Sequence, residues 1–170
     1  MGDVIVIQFV TLDGVVSAPE NWAFRYGAGP VSDDKFRLGA RMEVQLYGRR
    51  TWEQFAQLWP SRDTSYARLM NSVPKYVATR GGIDASRWSN SSAIEGDPFA
   101  WLKQEQRNVV VIGSTSLVHA LAAADLVDEY RLITFPAVVG AGDRLFAEPA
   151  ELRFVSAEQT GVTTLTVLRR

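Results

Sequence analysis

Two runs in this chain are apolar at every position but one: Val4–Val10 (Val-Ile-Val-Ile-Gln-Phe-Val) and Asn108–Ile112 (Asn-Val-Val-Val-Ile). A strand with one face in water alternates apolar and polar residues, whereas a strand covered on both faces reads as a continuous β-branched run. The chain must therefore build a sheet with cover on both sides. The intervening segments supply that cover. Val44–Gly48, Lys75–Thr79, Ser89–Ile94 and Glu129–Phe135 read as further strands, and helix signals lie among them. A helix is predicted over Ser32–Met42, with Ser32 as cap and Asp33 and Asp34 in its first turn. A second starts at Thr51, where Thr51-Trp52-Glu53-Gln54 fits a capping box. A third covers Thr64–Asn71, and a fourth opens at Asp97-Pro98 and runs to Gln106. A fifth spans Ser114–Ala124 with Leu117 and Leu121 facing inward. Strand and helix thus alternate to about residue 135, and strands alone follow. Leu152–Glu158 and Val162–Leu168 read as a hairpin turning at Gln159-Thr160-Gly161. The expected class is α/β: a three-layer fold with a mostly parallel central sheet and a C-terminal antiparallel hairpin. With no repeat, low-complexity tract or linker, residues 1–170 read as one domain.

Composition removes several kinds of chemistry. Lys plus Arg is 18 and Asp plus Glu 19, a net charge of −1, so the chain has no long-range attraction for phosphate polymers or anionic membranes. No nucleic-acid or membrane partner is expected. There is no cysteine and a single histidine, His119. Disulfides, thiolate nucleophiles, iron–sulfur ligation and Cys/His zinc cages are excluded, and no metal site is expected. The first residues, Met1-Gly2-Asp3-Val4, carry no basic leader, and no run approaches the roughly 18 apolar residues of a membrane span. A cytoplasmic location is the resulting expectation. Chemistry must come from carboxylates, hydroxyls, arginines, backbone groups or a borrowed cofactor.

In an open α/β sheet, ligands collect beyond the carboxyl ends of the strands. Three such ends stand out here: Gly48-Arg49-Arg50-Thr51, Thr79-Arg80-Gly81-Gly82 and Gly113-Ser114-Thr115-Ser116. Two arginines at a helix N-terminus add positive charge to an already positive end. A bound anion would relieve that conflict, as would pairing with surface carboxylates or escape to solvent. The hydroxyls after Gly113 either donate to phosphate or simply cap a helix. Arg80 has the same two readings. Gly27-Ala28-Gly29 and Gly140-Ala141-Gly142 lack the third glycine and the context of a Rossmann fingerprint, and no Walker A sequence exists. Adjacent anion sites without a Rossmann loop suggest a dinucleotide held by another geometry.

Several stretches resemble one known family. Thr11-Leu12-Asp13-Gly14, Tyr47-Gly48-Arg49-Arg50-Thr51-Trp52 and Pro74–Arg80 follow in order, as do Val111-Ile112-Gly113-Ser114 through Leu126-Val127-Asp128-Glu129-Tyr130 and Pro136–Gly140 to Leu145-Phe146. The chain resembles the dihydrofolate-reductase-like family, in the branch related to the C-terminal reductase domain of bifunctional riboflavin-biosynthesis deaminase/reductases. The resemblance implies the dihydrofolate-reductase-like fold and an NADPH-dependent reductase acting on a small planar, pterin- or aminopyrimidine-like substrate. By that analogy Gly48, Arg49, Arg50 and Thr51 meet the pyrophosphate or the 2′-phosphate, and Thr79 and Arg80 border the adenine ribose. Ile112, Gly113, Ser114, Thr115, Ser116 and Leu117 cradle the pyrophosphate, and Val15, Val16 and Ser17 lie near the nicotinamide. Arg50 and Arg80 supply charge for the extra phosphate of NADP(H). A homodimer is compatible with the resemblance, and so is a catalytically silent NADP-binding module.

Proton donors are few. Asp13 is either a general acid or substrate anchor, or an ordinary Asp-Gly turn. Asp33 is a second acidic candidate, with an ordinary first-turn acid as its alternative. Asn21–Gly29 reads as an aromatic lid or as core, and Trp22, Phe24 and Phe36 are the candidate substrate contacts. His119, five residues past Gly113, reads as structural.

Overall fold

The computed structural model describes residues 1–26 and 41–170. The predicted helix over Ser32–Met42, with Asp33, Asp34 and Phe36, falls mainly outside the described residues. Its last two positions are described and are not helical, Arg41 adopting φ 46°.

Eight strands form one sheet: β1 (Val4–Thr11), β2 (Val44–Gly48), β3 (Lys75–Ala78), β4 (Ser91–Ala93), β5 (Val109–Ile112), β6 (Glu129–Phe135), β7 (Arg153–Thr160) and β8 (Thr163–Arg169). Their order is β4-β3-β2-β5-β1-β6-β8-β7. The six strands from β4 to β6 are mutually parallel. The closing hairpin is antiparallel, as expected. It turns over Gly161 and Val162, with Thr160 opposite Thr163, because Gly161 accepts φ 58°.

Four α-helices lie among the described residues: α1 (Arg49–Leu58), α2 (Ser65–Ser72), α3 (Pro98–Gln104) and α4 (Thr115–Ala123). The two buried strand runs sort by parity. Ile5, Ile7 and Val110 join Trp52 and Ala56 of α1 and Ala67 and Met70 of α2 in one apolar layer. Val4, Val6, Val109 and Val111 join Leu102 of α3 and Val118 and Leu121 of α4 in the other. This is the three-layer arrangement that the continuous apolar runs require. Thr64 and Asp97 cap α2 and α3, accepting from Ala67 N and Phe99 N. None of the helices among the described residues is long and apolar enough to cross a membrane.

The expected capping box at Thr51 does not form. β2 runs into α1 with no loop, Gly48 is the N-cap, and no side chain caps the helix. Thr51 therefore sits inside the first turn. Its hydroxyl is engaged elsewhere, as described next.

Candidate functional site

Because β1 to β6 are parallel, their carboxyl ends share one edge of the sheet. Along that edge come Thr79 and Arg80 after β3, Gly48 to Thr51 after β2, Gly113 and Ser114 after β5, and Thr11 to Ser17 after β1. Strands lie about 4.8 Å apart, so the three steps from β3 to β1 span about 14 Å. The strand order brings together segments that are far apart in sequence.

The centre of this edge is stitched by reciprocal hydrogen bonds. Ser114 N–H donates to Thr51 Oγ1 at 3.1 Å, and Gly48 N–H donates to Ser114 Oγ at 3.0 Å. Gln8, the polar exception in the first strand run, donates from Nε2 to the Gly113 carbonyl at 2.7 Å. Gly113 and Ser114 both have left-handed backbones, with φ 67° and 54°. A side chain at Gly113 would press on Thr51 Cγ2 at 3.1 Å. The turn thus aligns the N-termini of α1 and α4 side by side.

Each of these helix ends leaves its first N–H groups without an intrahelical partner. Neither has an acidic residue in its first turn nor a side-chain cap. Arg49 is paired with Glu53, Nε to Oε1 at 2.9 Å, and its guanidinium lies over Gly81. For Arg49 the surface-pairing alternative therefore applies. Arg50 and Arg80 are exposed, and neither has a carboxylate within ion-pair distance among the described residues. Thr79 and Arg80 line a cavity of about 570 Å³ with Ala78, Gly96, Asp97 and Pro98. Positive backbone ends, hydroxyls and two uncompensated guanidiniums form a donor set suited to phosphates. Leu117 packs against the α4-side core, and Ile112 against the other, so these two offer backbone groups only.

Beyond β1 lies a second cavity of about 220 Å³, lined by Val15, Ser17, Ala18, Asn21, Trp22, Arg25, Val139 and Ala141. Val15 and Ser17 line it. Val16 does not: alternation turns its side chain into the α4-side core, and its N–H donates to Asp143 O at 2.8 Å. Trp22 is a wall of the cavity and no lid. It is 2% exposed, donates its indole N–H to Ser17 O at 3.0 Å and meets Phe135 edge-on. Phe24 is exposed and outside the cavity lining. Tyr26 packs on Phe135 and donates its hydroxyl to Pro136 O.

Asp13 does not fit a general acid. Its carboxylate accepts from Thr11 Oγ1 at 2.6 Å, from Gly140 N at 2.8 Å and from Val139 N at 3.3 Å. These donors, the Thr11 hydroxyl foremost, hold its pKa down at about 2. Asp13 is a carboxylate near neutrality, and its work is to tether the loop after β6. Gly142 completes the closure. At φ 137°, an added Cβ would fall 2.6 Å from Val15 Cγ1 and 2.7 Å from Ser17 Oγ. Gly142 is thus a close-packing position. Sequence reading missed Gln8, Arg25 and Arg144. Only Gln8 carried a signal, as a polar residue within an apolar buried run.

Residues 98–166 match the RibD C-terminal domain family. Its fold is similar to a Shewanella sp. PV-4 protein described as a candidate for riboflavin biosynthesis, with TM-score 0.76 and 22% identity over 99% of this chain and 98% of that one. It is similar to a pyrimidine reductase-like protein from Corynebacterium diphtheriae NCTC, with TM-score 0.70 and 10% identity over 99% and 91% of the two chains. It also resembles RibD of Acinetobacter baumannii, with TM-score 0.66 and 17% identity, covering 99% of this chain and 58% of that one. In sequence it is 29% identical over 115 residues to Uncharacterized protein YyaP of Bacillus subtilis (strain 168), covering 64% of this chain and 61% of that protein. The α/β fold is the shared element.

Proposed function

We propose that residues 1–170 form one NADPH-dependent reductase unit that delivers hydride to a small planar heterocycle of the pterin or aminopyrimidine kind. One observation carries this reading: two helix N-termini without acidic residues meet at Gly48 and Ser114, flanked by Arg50 and Arg80, which are uncompensated among the described residues. The donor set fits a phosphate-rich dinucleotide. The N-terminal turns of α1 and α4, with the Thr51 and Ser114 hydroxyls, would hold the pyrophosphate. Arg50 and Arg80 would hold the 2′-phosphate, with Thr79 beside the ribose, and Val15 and Ser17 would face the nicotinamide. The bound cofactor supplies the hydride. The chain's own contribution is to orient two planar groups and exclude water between them, with Trp22, Val15 and Val139 as apolar walls. Asp13 stays ionised and is not the proposed proton donor, and Asp33, the other acidic candidate, lies outside the described residues.

Equilibrium titration with NADPH and NADH tests the reading, followed by NADPH oxidation over pterins, aminopyrimidine ribosides and simple carbonyls. NADPH should bind in the range of about 1–50 μM and more tightly than NADH. Absence of binding at these concentrations sinks it. A silent NADP-binding module is the second reading, favoured by the absence of an acid from the described cavity lining. Binding without oxidation of any acceptor would select it. We further place the protein in the cytoplasm as a homodimer. The eight-residue edge strand β7, exposed along its length with Phe154 and Val155 outward, is the surface proposed for pairing. Light scattering in solution gives the oligomeric state.

A further inference from the structure

The wall of the smaller cavity is made by two crossing segments, the turn after β1 and the loop after β6. They are joined by Leu12 N to Ala137 O at 2.9 Å, Val16 N to Asp143 O at 2.8 Å and Leu145 N to Gly14 O at 3.0 Å. One side chain ties this wall to helix α4. His119 Nε2 lies 2.7 Å from the carbonyl oxygen of Arg144. A carbonyl only accepts, so Nε2 carries the proton in this contact. The Arg144 guanidinium then donates from Nη1 to the Asp13 carbonyl oxygen. The Asp13 carboxylate in turn holds the N–H groups of Gly140 and Val139. A hydrogen-bonded line therefore runs from α4 through residues 144 and 13 to Val139 in the cavity wall. The N-terminus of α4, about one turn before His119, is the Gly113–Ser114 turn, where the dinucleotide phosphates are placed.

We propose that His119, Arg144 and Asp13 are positioning residues that lock the cavity wall in register with the phosphate-binding end of α4. This rests on the functional reading above. A dinucleotide is bound at two places by parts that touch through this line. With the line intact, a ligand anchored at α4 finds its second ring site already formed. With the line cut, the phosphate end still binds, and the ring must order the wall at its own cost. None of the three residues has to touch the ligand.

The test compares NADPH with 2′,5′-ADP, a fragment that reaches only the phosphate end. Affinities are measured by calorimetry for the unmodified protein, His119→Ala, His119→Gln and Arg144→Ala. Backbone amide hydrogen exchange over residues 137–145 is measured without ligand. His119→Ala and Arg144→Ala should raise exchange at Val139, Gly140 and Asp143 about tenfold. They should weaken NADPH by about 5–20-fold and leave 2′,5′-ADP within about twofold. His119→Gln, whose amide Nε2 also donates, should recover most of the loss. Unchanged exchange and unchanged NADPH affinity overturn the proposal, as does an equal loss for both ligands. Should His119→Ala fail to fold, Arg144→Ala, altered at an exposed side chain, decides the same question. An unmodified protein that binds neither ligand overturns the functional reading and this proposal together. One that binds both, with indifferent variants, overturns this proposal alone.

Discussion

The two halves of the sheet edge treat their polar groups in opposite ways. Around β2, β3 and β5, the helix N-termini, Arg50 and Arg80 present donors that the described protein leaves uncompensated. Around β1 and β6, almost every polar group has a partner. Thr11 Oγ1 accepts from Val15 N and donates to Asp13, Ser17 Oγ accepts from Asp143 N, and the Asp13 carboxylate accepts three bonds. The first region is unsatisfied where a ligand's charge would sit. The second is satisfied internally and presents apolar walls. A site for a charged, two-part ligand needs both: one end that recognises phosphate, and one that is rigid before anything arrives.

The largest way to break this contrast is to open the closed half. Gly142→Ala would place a methyl group against Val15 and Ser17 at a φ that L-residues rarely adopt. Overpacking with backbone strain should cost about 3 kcal/mol, lowering the melting temperature by about 6–12 °C. Calorimetric unfolding measures this, and 2′,5′-ADP should bind the variant, while still folded, as before. Next comes the seam between the halves. Thr51→Val removes the acceptor of Ser114 N–H and should cost about 2 kcal/mol, with Thr51→Ser recovering most of it in denaturant unfolding.

Smaller effects sharpen the open half. Arg50→Ala and Arg80→Ala should each weaken NADPH by about tenfold, or about 1.4 kcal/mol, and leave the fold's stability nearly unchanged. NADH should lose much less, and equal losses for both cofactors would contradict the 2′-phosphate role. The smallest effect concerns acid. The Asp13 pKa of about 2 lies below its ordinary 3.8, so the folded state binds fewer protons than the unfolded state between these values. Its stabilising contribution is complete above about pH 4 and falls away as pH drops through about 2. Asp13→Asn should lose that acid dependence, and near pH 7 it should expose the amides of Val139 and Gly140 to faster exchange.

How much of this was legible in the sequence varied with the range of the interaction. The continuous runs of β1 and β5 announced a doubly covered sheet, and Val44–Gly48 and Glu129–Phe135 form strands with the bounds read from their residues. Asp97 caps a helix where local rules put it, and Thr64, read as the first helical residue, proves to be the cap of its helix. Thr51 obeyed no local rule, because its hydroxyl is claimed by Ser114, 63 residues away. Asp13 is held ionised first by the Thr11 hydroxyl two residues away, and further by two N–H groups of a loop more than 120 residues later, so only part of its setting is long-range.

The sequence alone determined the sheet, its two-sided cover, the strand ends that carry arginine and hydroxyl groups, and the exclusion of cysteine chemistry and Cys/His zinc cages. Those follow from periodicity and residue type, which act over a few neighbours. Only the tertiary structure decided which of the charged groups are already spent. Arg49 is matched by Glu53 and Asp13 by backbone amides, while Arg50 and Arg80 are left uncompensated among the described residues. Hydrogen-bond partners are chosen by distance in space, and the strand order β3-β2-β5-β1 sets those distances.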